Sequence, residues 1–186
     1  MRLILGSKSP RRQELLRSMG IEFEIRTEDT DESFPIEIPP KDVAGYLARK
    51  KALALSATLR SDEFILCADT IVILEDKILG KPADKTEASH MLNMLSGKQH
   101  EVITGVCLMS LKKEHVFSVT TRVTFCDLHP ETIEYYIENY KPLDKAGAYG
   151  IQEWIGSIAV SRIDGSYFNV VGLPTHETYR AIQAFK

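Results

Sequence analysis

The sequence predicts an α/β fold carried by a single domain over residues 1–186. Three observations predict it. Short runs rich in Ile, Val, Leu and Phe recur along the chain, with helix-period stretches between them. The length of 186 residues falls within the roughly 100–200 typical of one domain. A balance of 44% hydrophobic and 26% charged residues is that of a globular protein able to bury a core without covalent staples.

Each element follows from local chemistry. Met1–Leu5 reads as a first strand, not a leader, because its apolar run breaks at Gly6 and turns basic by Lys8. Pro10 opens a helix that Gly20 closes, the expected placement of those two residues. Ile21–Arg26 alternates apolar and charged residues, a half-buried strand. Residues 27–40 hold three prolines and the acids Glu28, Asp29, Asp31 and Glu32, which predicts a mobile loop. Lys41–Arg60 is a long amphipathic helix with Ala44, Leu47, Ala48 and Leu55 on its buried stripe.

Phe64–Cys67 and Ile71–Leu74 are two buried strand-like runs on either side of Asp69 and Thr70. A helix runs from Asp84, with a capping-box pattern to Glu87, as far as Ser96, and Gly97 stands just past its end. Glu101–Leu111 and His115–Phe125, joined by Lys112-Lys113-Glu114, form a hairpin. Pro130–Tyr140 is a helix, Ser157–Ile163 and Tyr167–Val171 a last strand pair, and Pro174–Phe185 a terminal helix.

Composition excludes several function classes. With 23 Lys and Arg against 26 Asp and Glu the net charge is −3, the wrong sign for a nucleic-acid binder. No stretch reaches the ~20 apolar residues of a membrane span. Cys67, Cys107 and Cys126 are odd in number, widely spaced and set in apolar runs, so they read as small core hydrophobes in a reducing, cytoplasmic setting. The five histidines show no zinc-ligand spacing. Neither Gly80-Lys81 nor Gly97-Lys98 completes a phosphate loop, because Pro and Gln follow.

Three places break local rules. Lys8, Arg11 and Arg12 stand at the positive end of a helix, with Ser7 and Ser9 beside them. They form either an anion site, built from backbone N–H groups, hydroxyls and guanidinium forks, or a solvated helix start. Lys51 falls on the buried stripe and must snorkel to water or point into a polar cleft. Asp69, between two buried runs, either caps a strand end as an Asx-turn or binds a divalent metal or takes a proton from water. Lys81, Gln152 and the acids around Glu32 are each open to a surface or a functional reading. Gln152 in particular carries an amide able to read a base edge.

Taken together and in this order, these features resemble the Maf (septum-formation-inhibitor-like) nucleoside triphosphate pyrophosphatases. The matching stretches are Ser7 to Arg12, Ala68 to Val72, Ile78 to Pro82, Met91 to Gly97, His100 to Val106, Gly165 to Tyr167 and Val170 to Pro174. The resemblance implies an elongated mixed β-sheet flanked by helices, two lobes around a central cleft, as in the inosine triphosphate pyrophosphatase fold. It implies hydrolysis of a nucleoside triphosphate to the monophosphate and pyrophosphate with a divalent cation, Mg²⁺ or Mn²⁺, and a homodimer.

Carried onto this chain, the resemblance makes Asp69 the catalytic base near the metal and Glu32 a second acid at the metal. It makes Ser9, Arg11, Arg12, Lys51 and Lys81 phosphate contacts, with Ser7 alongside. The segment Asp144 to Gln152 looks like the branch acting on dTTP and UTP, in which Arg12, Thr70 and Gln152 match the specificity positions. A sister branch acting on 7-methyl-GTP lacks the Tyr-Gly-Ile-Gln segment. Lys8 departs from the small residue usual in the family. The rival function is a nucleotide-binding regulator of cell division in which hydrolysis is incidental.

Overall fold

The computed structural model describes residues 1–185. In chain order the strands and helices are β1 (Arg2–Leu5), α1 (Pro10–Ser18), β2 (Phe23–Ile25), α2 (Val43–Ser56), β3 (Glu63–Leu74), β4 (Lys77–Leu79) and α3 (Lys85–Leu95). They continue with β5 (Gln99–Met109), β6 (Glu114–Phe125), α4 (Pro130–Tyr140), α5 (Trp154–Ala159), β7 (Val160–Asp164), α6 (Tyr167–Val171) and α7 (Thr175–Phe185). The strands hydrogen-bond in the order β2-β1-β3-β5-β6-β7, with β4 paired to β3, so the sheet has seven strands. The mixed α/β prediction holds. The chain divides into two compact units, the first comprising Met1–Thr70, Thr104–Val119 and the segment from Gly172, the second Ile71–Ile103 and Thr120–Val171.

In the first unit β1 runs parallel to both neighbours, with Leu3 opposite Phe23 on one side and Phe64 on the other. Apolar side chains of β1, α2, β3 and β5, among them Ile4, Ala48, Leu55, Ile65 and Cys107, pack into one core cluster. The predicted stripe of α2 is buried at Ala44, Leu47, Ala48 and Leu55. Gly105 on β5 meets the backbone of that helix directly. A Cβ placed there would stand 2.3 Å from Ala44 C and Gly45 N, so a residue without a side chain is what lets strand and helix touch.

In the second unit Asp84 caps α3 by accepting from Glu87 N at 2.8 Å, and the Glu87 carboxylate accepts from Ala83 N at 2.7 Å. Both predicted helix stops, Gly20 and Gly97, have positive φ, at 70° and 67°. Leu92, Phe125, Tyr136 and Ile155 belong to the apolar core of this unit. His100 lies 2% exposed, its Nε2 2.8 Å from the hydroxyl of Tyr149.

Five expectations are corrected. The two runs flanking Asp69 are one continuous strand, β3, so Asp69 is not an Asx-turn at a strand end. The Glu75-Asp76 turn after it folds back into β4, which the sequence reading lacks. Ser157–Ile163 splits into the end of α5 and β7, and Tyr167–Val171 is the helix α6 instead of a strand. Tertiary hydrogen bonds decide the last case. Asn169, fully buried, donates to Val102 O at 3.1 Å and Thr121 Oγ1 at 3.0 Å, and these bonds outweigh the strand propensity of Tyr, Phe and Val. Cys67 and Cys107 are core residues, but Cys126 is exposed.

Candidate active site

Asp69 sits on β3 at 8% exposure, where an ionised carboxylate needs a partner. Lys51 supplies it. The 14 residues of α2 carry the buried stripe, and Lys51 falls four residues after Leu47, so its ammonium is delivered to the strand. Lys51 Nζ forms an ion pair with Asp69 Oδ1 and a second, at 2.8 Å, with Glu32 Oε1. The lysine therefore takes the polar alternative; its side chain is 19% exposed. Burial pulls the Lys51 pKa down, but the charges and hydrogen bonds of Asp69 and Glu32 outweigh it, and the net shift is upward. The ammonium is held charged.

Beside this cluster, Arg12 is fixed by two acceptors. Its Nε donates to Gly172 O at 2.9 Å and its Nη2 to Thr70 Oγ1 at 3.2 Å. Burial lowers its pKa, opposed chiefly by the negative charge of Asp69, so the guanidinium stays a cation with a carboxylate in electrostatic reach. Thr70 Oγ1 is 2.9 Å from Thr104 Oγ1 on β5, and Thr104 is fully buried. Thr104 and Gly172 had no role assigned from sequence. A lone hydroxyl within the apolar run of β5 was the signal for the first. Gly172 has φ of 127°, a region open in practice to glycine alone, and its carbonyl depends on that conformation.

The start of α1 keeps the unfavourable charge pattern read from the sequence, with no side-chain cap on its N-cap Ser9. Pro10 occupies the first turn with Arg11 and Arg12 and no acid beside them. Ser7 is 8% exposed, and its Oγ accepts from Ser9 N at 3.2 Å. Lys8 leans instead to Asp29 at 3.5 Å, both side chains largely in water, which contributes little. Asp31 is likewise a surface partner, 3.2 Å from Lys50. Of the acidic loop, Glu32 is the member that meets Lys51 together with Asp69.

Lys81 and Gln152 belong to the second unit and are both exposed. The backbone ahead of Lys81 is tied by Gly147 N donating to Gly80 O at 3.0 Å. A surface cavity of 560 Å³ in the first unit is lined by Arg2, Glu22, Glu24, Phe23 and Phe64, none of them a candidate site residue.

Two carboxylate groups converging on one ammonium form a hard-oxygen set of the kind that suits an octahedral cation, which usually keeps waters and phosphate oxygens on its remaining positions. The donor chemistry of Glu32 and Asp69 thus fits a divalent metal. Among the described residues no group of three or more His, Cys, Asp and Glu is arranged to hold one. Among the same residues no helix is long and apolar enough to cross a membrane.

A family model described as Maf-like protein matches residues 2–185. A curated relative from Phocaeicola vulgatus, named dTTP/UTP pyrophosphatase, is 49% identical over 183 residues, covering 98% of this chain and 95% of its own length. One of the same name from Parabacteroides distasonis is 48% identical over 99% of this chain and 96% of its own. In fold the chain is similar to the Ham1 protein of Staphylococcus aureus, with a TM-score of 0.58 at 12% identity and complete coverage of both chains.

Proposed function

The chain belongs to the Maf-like protein family, and from that premise we propose that it hydrolyses dTTP and UTP to the monophosphate and pyrophosphate. The observation that carries the reading is the placement of Asp69, a nearly buried carboxylate bound to Lys51 and standing within the field of Arg12. A plain anion site gains nothing from a carboxylate next to phosphates. A hydrolytic site needs one to accept a proton.

A triphosphate carries about four negative charges. At ~4 Å and an effective dielectric near 20, each opposing cation is worth roughly 4 kcal/mol before desolvation. Arg11, Arg12, Lys51 and Lys81 are the cations assigned to it, with the hydroxyls of Ser7 and Ser9. Arg12 needs little reorganisation for the task, since Gly172 and Thr70 already hold its plane. Glu32 and Asp69 are the residues to hold Mg²⁺ or Mn²⁺, which when bound neutralises phosphate charge and polarises the phosphorus under attack. Asp69 accepts one proton from water as the water oxygen bonds to the α-phosphorus. The bond to the bridging oxygen breaks and pyrophosphate leaves. Gln152 offers a donor and an acceptor, the complement of a uracil or thymine carbonyl and N3–H. Thr70 and Arg12 are assigned to selectivity as well. A cytoplasmic homodimer completes the reading.

The test is product analysis. The protein is incubated with Mg²⁺ and, separately, with dTTP, UTP, CTP, GTP and 7-methyl-GTP, and products are separated by ion exchange. Monophosphate plus pyrophosphate from dTTP and UTP is the expected result. Orthophosphate plus diphosphate overturns the site of attack, and preference for 7-methyl-GTP overturns the pyrimidine assignment. No turnover with any nucleotide transfers the weight to a binding regulator.

A further inference from the structure

Within the second unit, residues 147–151 are buried and Gln152 is exposed, so one polar side chain stands at the end of a packed segment. Its neighbours are held by a network that plays no part in the chemistry above. Tyr136, fully buried on α4, donates its hydroxyl hydrogen to Glu153 Oε2 and accepts from Gly150 N at 3.1 Å. The other carboxylate oxygen of Glu153 lies 3.1 Å from Lys145 Nζ. Lys145 is itself 8% exposed and pairs with Asp144 Oδ1 at 2.6 Å. Glu153 N then donates to Gly150 O at 3.0 Å and closes the turn.

Side chains close over the glycine of the turn. A Cβ on Gly150 would stand 2.9 Å from Glu153 Cδ and 3.0 Å from Gln152 Nε2. The Gln152 amide thus packs over the glycine, next to the pinned carboxylate. Burial, and after it the Glu153 hydrogen bond, raises the Tyr136 pKa, which keeps the phenol a donor. A half-satisfied buried network of this kind would be costly. Its cost is met here by pairing both carboxylate oxygens and both roles of the phenol.

We propose that Tyr136, Lys145 and Glu153 are positioning residues for nucleobase selectivity, fixing the turn on which Gln152 presents its amide. The proposal rests on the reading of Gln152 as the group that meets the base. Selectivity depends on where two hydrogen-bonding atoms sit relative to the edge of the base. The clamp acts on the base end of the substrate, whereas Asp69, Lys51 and Arg12 are assigned to the phosphates.

The experiment compares kcat/KM for UTP and CTP in Gln152→Ala, Tyr136→Phe, Glu153→Gln, Lys145→Met and Lys145→Arg, with a thermal midpoint for each. Tyr136→Phe and Lys145→Met are expected to lower the UTP-to-CTP ratio by about tenfold, and Lys145→Arg to retain most of it. Adding Tyr136→Phe to Gln152→Ala should change the ratio no further. If Gln152→Ala lowers the ratio but the clamp variants keep it, the clamp inference is wrong while the base-reading assignment stands. If Gln152→Ala itself leaves the ratio unchanged, the assignment of Gln152 fails and the clamp with it. Equal losses on both nucleotides, with a fallen midpoint, make the network purely structural and overturn the proposal. Should Glu153→Gln not fold, Tyr136→Phe decides, because it deletes one oxygen and keeps the ring.

Discussion

Lys51 Nζ lies 2.8 Å from Glu32 Oε1, and the same ammonium contacts Asp69, so a side chain of α2 stands between two carboxylates drawn from the acidic loop and from β3. A divalent cation binding those oxygens competes with a charge already there. Lys51→Met therefore should bind Mn²⁺ severalfold more tightly in the absence of nucleotide, measured by calorimetry, while its KM for dTTP rises. Unchanged metal affinity would show that the cation and the lysine use different oxygens.

Asp69→Asn keeps a side chain of the same shape and removes the base. The expected loss in kcat on dTTP is about 10²–10⁴-fold, with a thermal midpoint close to that of the unmodified protein. Full activity would remove Asp69 as base and metal ligand together. Loss of fold would make it a structural residue.

Gly172→Ala puts a Cβ on a backbone with φ of 127°. Space is not the obstacle, since the nearest atoms, Thr70 Oγ1 and Arg12 Nε, would be 3.7 and 3.8 Å away. Conformation is. The expected cost is about 1–3 kcal/mol of stability, and relaxation of that strain moves the carbonyl to which Arg12 donates. Urea unfolding and the KM for dTTP should both respond; a raised KM at normal stability would locate the effect in Arg12 alone.

His100 gives a pH dependence with a definite sign. Burial lowers its pKa from 6.5 to about 4. Below pH 6.5 the unfolded chain takes up a proton that the folded chain refuses, so stability is complete above that value and is lost as pH falls toward 4. The total is about 3 kcal/mol. Unfolding free energies of the protein and of His100→Gln, compared at pH 7.5 and 4.5, isolate this contribution from the carboxylates. The two proteins should differ in slope, and parallel curves would contradict the shift.

The anomalies of the sequence were its most legible part. A lysine on a buried stripe and an aspartate between two apolar runs each needed a partner, and the fold makes them partners of one another. Periodicity also placed α2 and the capped helix α3. The misreadings have physical causes. The turn between β3 and β4 uses Glu75 and Asp76 at φ of 49° and 66°, conformations normally announced by Asn or Gly, so no hairpin signal was present. The helix α6 is specified by the burial of Asn169, which local propensity does not encode. The partners of Arg12 lie 58 and 160 residues away along the chain, beyond any spacing rule.

That last separation sets an order in time. Arg12 is made before Gly172, which is added 160 residues later. At about 5–20 residues per second of synthesis, the interval is roughly 8–32 s. Throughout it the nascent chain carries an unlocked guanidinium along with the acids Glu28, Asp29, Asp31 and Glu32, open to wrong pairings and to capture by nucleotides or chaperones. Locking of Arg12 is in this sense a late event of synthesis relative to its own appearance, and drugs or rare codons that stall elongation between Arg12 and Gly172 would prolong the vulnerable interval.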